Sequence, residues 1–128
     1  MAKRFTLGKT ERLKSRKSIE RLFKQGLKFN AGAFRVFHLG DTISKGSIQF
    51  GVGVGNKNFK KAVDRNRIKR LTREAWRLQK TGLQEKLSAA EKGVMVFFIY
   101  TGKELPLYAD VVQQVGKAIS KLEKQYLA

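Results

Sequence analysis

Apolar residues recur along this chain in two rhythms, and the switches between them divide it into elements. In "SIERLFKQG", Ile19, Leu22 and Phe23 stand at i, i+3 and i+4, one face of a helix. Ser15 or Ser18 can cap that helix, and Gly26 stops it. Residues 34–39 alternate instead, with Phe34, Val36 and His38 on one side and Arg35, Phe37 and Leu39 on the other. "LKF" at 27–29 reads as a short separate strand. In "SIQFGVGVG", Ile48, Phe50, Val52 and Val54 share one face, while Gln49, Gly51, Gly53 and Gly55 share the other. Glycine weakens a strand, so three on one face imply a close neighbour, for which a packed helix is the favoured reading.

From about Lys61 to Thr81 the period is helical, with Gly82 closing the segment. Residues 83–92 form a polar connection with room for another helical turn. "GVMVFFIY" follows as an almost unbroken apolar strand, which implies burial on both faces and a central place in its sheet. After the turn "TGKELP", Tyr108, Val112, Val115, Ile119, Leu122 and Tyr126 recur at alternating steps of four and three, an amphipathic helix laid on the sheet. The predicted order is αβββαβα. That is an α+β domain over 1–128, one sheet of about four strands with helices packed on it, preceded by a flexible basic arm at 1–15.

The helix in the middle departs from an ordinary surface helix. Set Ile68 at zero and turn ~100° per residue. Ile68, Leu71, Ala75 and Leu78 then form one apolar stripe, and Asn66, Lys69, Arg70, Arg73, Arg77 and Lys80 gather nearly opposite. Arg65 and Arg67 lie on the flanks. Soluble helices usually place Glu and Lys at i,i+4 for roughly 0.2–0.5 kcal/mol per pair. This face has no acid: Glu74 falls beside the apolar stripe and Asp64 near the helix start. The like charges repel one another, and the simplest compensation is phosphate, which arginine binds in bidentate fashion. Lys57, Lys60 and Lys61 extend the cationic run upstream.

Composition strengthens that reading. The chain of 128 residues carries 28 Lys and Arg against 10 Asp and Glu, a formal net charge of +18. Charge of that size works against a compact chain unless a polyanion relieves it. The chain is nonetheless 41% hydrophobic, enough for a core of its own. A DNA-reading helix offers mixed polar groups to base edges. This one offers almost only phosphate ligands, which favours the shape and backbone of a folded RNA. An RNA backbone is then the second candidate for the neighbour of the glycine face.

Other classes fit poorly. There is no cysteine, hence no disulfide framework or thiolate metal site. "VMVFFIY" is far short of the roughly 20 residues of a membrane span, and "MAKRFTLGKTERLK" has no apolar signal core. A soluble cytoplasmic protein is expected, with no membrane partner and no small-molecule substrate. A two-metal nuclease needs converging carboxylates, but Asp41, Asp64 and Asp110 are scattered. The single histidine, His38, sits in mid-strand and reads as a buried or edge polar residue rather than a general base. "GVGVGNKN" lacks the Gly-Lys-Ser/Thr ending of a phosphate-binding loop. The chain itself is expected to bear no catalytic residue and to bind no cofactor.

The segment "KKAVDRNRIKRLTREAWR", 60–77, resembles the bacterial ribonuclease P protein family, whose hallmark is Arg-Asn-Arg within a basic helix. "RLKSRKSIERLFKQG" is similar to that family's first helix, "FRVFHL" to its aromatic strand, and "QFGVGVGNKNFKKA" to the strand and loop entering the basic helix. The C-terminal third matches in pattern only. The resemblance implies a protein subunit that binds a catalytic RNA and, with it, removes the 5′ leader of precursor tRNA. It implies that Mg²⁺ is held by the RNA, and that Lys57, Lys60, Lys61, Arg65, Asn66, Arg67, Lys69, Arg70, Arg73 and Arg77 face that RNA. It further implies a leader cleft between the first helix and the sheet, at Ile19, Phe23, Phe34 and Phe37. Strand alternation places Phe34 and Phe37 on opposite faces, so one of them lines such a cleft and the other does not. The chain departs from the family at Asn56, where a lysine is frequent, and at Ile19, where phenylalanine is frequent. The rival reading is a ribosomal or general structured-RNA-binding protein with no leader cleft. A self-sufficient nuclease and a histone-like DNA protein are more distant rivals.

Overall fold

The structure, a computed structural model, describes Leu13, residues 16–41 and residues 48–127. Ser15 and the basic arm apart from Leu13 lie outside the described residues. In chain order the elements are α1 (Arg16–Gln25), β1 (Leu27–Ala31), β2 (Phe34–Asp41), β3 (Ile48–Val54), α2 (Ala62–Gln79), α3 (Thr81–Ala89), β4 (Gly93–Tyr100) and α4 (Tyr108–Leu127). The α+β class and the four-stranded sheet agree with the sequence pattern. One helix is added, so the order is αβββααβα. Gly82 does not close α2 but lies inside α3, where Leu83 and Leu87 are buried one turn apart. Lys80 ends α2 and begins α3 with helical dihedrals, so the chain bends there without a loop.

The strand order is β1-β2-β4-β3. β1 and β2 form an antiparallel hairpin, β2 pairs antiparallel with β4, and β3 runs parallel to β4. The hairpin turn needs Gly32 at φ +59, a conformation other L-residues disfavour. Gln114 of α4 braces the turn, its Oε1 accepting from the Ala33 amide at 3.2 Å. β4 holds the centre, as its apolar run implied.

Alternation gives the sheet two unlike faces. On one, Phe34 and Val36 of β2, Phe50 and Val52 of β3, and Val96, Phe98 and Tyr100 of β4 meet Ile68, Ala75 and Trp76 of α2 and Val115, Ile119 and Leu122 of α4. The Trp76 ring stacks on Phe50 at 4.6 Å with planes 10° apart, and Phe98 meets both rings edge-on. The buried stripe of α2 is therefore Ile68, Thr72, Ala75 and Trp76, while Leu78 is 48% exposed rather than part of the stripe. An indole buries ~150–250 Å², so the helix rolls to place Trp76 inward at the expense of Leu78. Thr72 tolerates burial because its hydroxyl donates to the Ile68 carbonyl at 2.8 Å.

Among the described residues, α1 and Leu13 cover the other face. Leu22 packs with Met95 and with Leu13, and Ile19, Phe37, Leu39 and Phe97 border them. The Gly26 amide closes α1 on the Leu22 carbonyl at 2.8 Å, and a side chain there would strike the Leu22 and His38 carbonyls. Leu13 is not loose: it is buried, and its amide donates to the Phe50 carbonyl at 2.8 Å. Nor is the glycine face of β3 covered by a helix. The Phe97 ring lies across Gly51 and Gly53, so that a Cβ on Gly51 would stand 2.7 Å from it and 3.3 Å from the Leu13 carbonyl.

Gly51→Ala is accordingly expected to cost about 1–3 kcal/mol by overpacking, measured by urea unfolding. The same change in a Phe97→Ala background should cost clearly less. Equal costs in the two backgrounds would show that the Phe97 ring does not set the constraint.

Candidate nucleic-acid interface

Docking the Trp76 side of α2 leaves the opposite side to solvent. Asn66, Arg67, Arg70 and Arg73 are exposed there, and with Val63 they line an open groove of about 530 Å³. Lys69 is half-buried beside them. Among the described residues none of Arg67, Lys69, Arg70 and Arg73 forms an ion pair. Four cations on one helix face thus lack an acidic partner among the described residues.

Other members of the predicted set are engaged. Arg65 folds back, its Nη1 donating to the Phe59 and Lys60 carbonyls at 2.8 Å each. That bond ties the entry loop to the helix. Phe59 is buried near the Tyr100 ring, and Asn58 Nδ2 donates to the Gly102 carbonyl at 3.3 Å. The loop is pinned at these points, and Lys57, Lys60 and Lys61 remain exposed upon it. Arg77 pairs with Glu74 at i,i+3, its Nε standing 3.2 Å from Oε2 and its Nη2 bonding Oε1. The hydrogen bond from Arg77 holds the Glu74 carboxyl below its usual range. The expectation of an acid-free face therefore fails at its C-terminal end. Lys80, placed on the cationic face by its helical angle, is 2% exposed, and burial lowers its pKa. The bend into α3 carries it inward.

A second feature lies on the α1 side of the sheet. Phe23 is 42% exposed. Its ring lies 4.8 Å from Phe37 and 5.4 Å from Phe97, edge-on to the latter. Phe37 and Phe97 are direct cross-strand partners. Ile19 borders the same cluster. The structure brings together Ile19, Phe23 and Phe37 but not Phe34, which is 1% exposed on the opposite face against Phe98 and Tyr100. Phe34 is core, and its place in a cleft is corrected. Phe97 was missed because an unbroken apolar strand conceals which of its residues face the thinly covered side. The available signal was the glycine pair on β3, which makes room for its ring.

His38 lies on the closed face, 3% exposed, with Nδ1 2.7 Å from the Tyr126 hydroxyl. Burial lowers the imidazole pKa and pushes the phenol up to about 12. Among the described residues no three His, Asp or Glu side chains converge as a metal site would require. No described helix is long and apolar enough to cross a membrane.

An α+β fold with a single mixed sheet, a cationic row on α2 unmatched by acids among the described residues and a half-open aromatic face make up the candidate interface. A ribonuclease P family model matches residues 7–123. The ribonuclease P protein component of Porphyromonas gingivalis is 34% identical over 119 residues, covering 92% of this chain and 87% of that protein. The one from Chlorobaculum tepidum is 35% identical over 105 residues, covering 76% and 68%. The solved ribonuclease P protein of Staphylococcus aureus shares the fold with a TM-score of 0.68 at 22% identity, covering 89% of this chain and 95% of that one. The chain belongs to the ribonuclease P protein family.

His38 generates a testable pH dependence. Above its ordinary value of 6.5 the imidazole is neutral in both states. As pH falls through 6.5 the unfolded chain takes up a proton that the buried ring resists, so stability is lost until the lower folded-state pKa is passed. The melting temperature should therefore decline between about pH 7 and pH 5, and His38→Gln should flatten the decline. An unaltered slope in that variant would exclude His38 as its source.

Proposed function

We propose that this protein is the protein subunit of ribonuclease P, holding the catalytic RNA along α2 and the 5′ leader of precursor tRNA against the α1 face of the sheet. Family membership gives the subunit role in a tRNA-processing endoribonuclease. The observation that carries the finer reading is the row Arg67, Lys69, Arg70 and Arg73, turned away from the core and unmatched by acids among the described residues. Positions on one helix face stand about 5–6 Å apart, comparable with successive phosphates along a strand. The entry-loop lysines lengthen the same surface.

The leader assignment rests on Phe23, Phe37 and Phe97, whose partly exposed rings can stack on unpaired bases at roughly 1–3 kcal/mol per base. Ile19 supplies an apolar edge but no ring, so stacking falls to these three. In this reading Mg²⁺ belongs to the RNA, since the described side chains offer no converging donor set. The chain contributes electrostatics and substrate position rather than a reacting group, and the cytoplasm is its compartment.

Purified protein alone is expected to leave precursor tRNA intact and to cleave it with its RNA. Efficient cleavage without RNA would sink the proposal. Arg70→Ala and Arg73→Ala should each lower the salt slope of RNA binding by about one unit. Arg77→Ala should lower it less, because Glu74 already pairs with Arg77. Unchanged slopes for Arg70 and Arg73 would remove α2 from the interface.

The two phenylalanines of β2 separate cleft from core. Phe37→Ala should weaken binding of leader-bearing tRNA relative to leaderless tRNA with modest loss of stability. Phe34→Ala should instead cost about 3–5 kcal/mol of folding free energy. If Phe37→Ala affects both tRNAs equally, the general structured-RNA-binding reading is favoured.

A further inference from the structure

A second basic concavity lies apart from both surfaces, between the edge strand β1 and the last turns of α4. It encloses about 430 Å³, within the ~300–1,000 Å³ of small-ligand pockets. Leu27 and Phe29 form its apolar wall, Lys121 and Lys124 its rim with Gln125 beside them, and His38 lies at its base; Lys28 touches its edge but pairs with Phe37 and so alternates to the other face of the sheet. No acid lines it, and Glu123 on the same helix is held by Lys86 at 2.7 Å. Lysines in the last turns of a helix also complement its dipole. That role does not account for a buried imidazole at the base.

In one of its two tautomers the His38 ring can donate into the pocket. Burial keeps both His38 and Tyr126 neutral at neutral pH. The Tyr126 hydroxyl has one proton, and Nδ1 is the partner it meets, at 2.7 Å. With that proton donated to Nδ1, the imidazole hydrogen resides on Nε2, which has no hydrogen bond to any described residue. One N–H donor, two ammonium groups and an apolar wall match a phosphate joined to a base. Lys121 shows how the wall accepts a flat or cationic group: its Nζ stands 5.1 Å from the Phe29 ring centre while donating to the Asn30 carbonyl at 3.1 Å.

We propose that this pocket binds one nucleotide of an RNA strand passing the β1 edge, with its phosphate between Lys124 and His38 Nε2 and its base against Leu27 and Phe29. The proposal rests on the RNA-partner reading but not on α2. β1 and β3 are opposite edges of the sheet, about 14 Å apart at ~4.8 Å per strand spacing, and α2 packs towards β3. The aromatic cluster under α1 is on the other face. The site is therefore a third, separate contact, and an RNA engaging it together with α2 must reach around the sheet.

His38 is the only histidine, so its imidazole resonances report on this pocket alone. The full-length protein at constant neutral pH is titrated with a short mixed-sequence single-stranded RNA, in parallel with inorganic phosphate. The same titrations are made on Arg70→Ala/Arg73→Ala and on Lys121→Ala/Lys124→Ala, each with native circular dichroism. RNA should shift the His38 resonances in the wild type and in the α2 variant. In the pocket variant the shift should need more RNA, with a salt slope lower by about 0.7 units, that of one single-strand phosphate. Resonances that stay fixed while binding elsewhere saturates would overturn the proposal, as would a pocket variant that responds like the wild type. An equal shift with inorganic phosphate would reduce the pocket to a free-anion site and overturn it too. If instead the α2 variant keeps the wild-type salt slope while His38 still moves, the α2 reading fails and this one stands.

Discussion

The flat stack of Trp76 on Phe50 sets the orientation on which the cationic surface depends. A helix is a rigid cylinder, so pinning one large side chain fixes the azimuth of the others. With Trp76 against β3, and Ile68, Thr72 and Ala75 following it inward, Arg67, Arg70 and Arg73 are left on the outer side. Phe98 of the central strand meets both stacked rings edge-on and ties the helix to the middle of the sheet. The core and the cationic side of α2 are thus one geometric decision.

The two faces of the sheet are finished to different degrees. Two long helices close one face, where Phe34, Phe98 and Tyr100 pack as ordinary core. On the other, α1 spans only part of the width, and Leu13 adds a strip of backbone beside Gly51. Phe23, Phe37 and Phe97 hold one another in edge-on and tilted contacts that give order without full burial.

Charge is distributed with similar economy. A net +18 resists compaction, and the fold relieves it at the ends of α2 rather than at its middle. Arg65 turns onto two loop carbonyls, Arg77 onto Glu74, and Lys80 into the interior. The central row between them has no ion-pair partner among the described residues.

Periodicity is a property of the local backbone, so the residues alone established the strand positions, the central place of β4, the amphipathic α4 and the cationic side of α2. The stretch 60–77 was distinctive enough to name the family. Alternation also showed that Phe34 and Phe37 must part company. Which of them faces α1 depended on where distant helices dock, and only the tertiary structure decided it. The same holds for the roll of α2 that takes Trp76 in and leaves Leu78 out, and for the burial of Lys80 at the bend into α3. It holds equally for Phe97 seated over glycines on a neighbouring strand, and for Leu13 bonded to β3. Each of these is a competition between surfaces far apart in the chain, settled by which contact buries more area, and no local pattern contains that comparison.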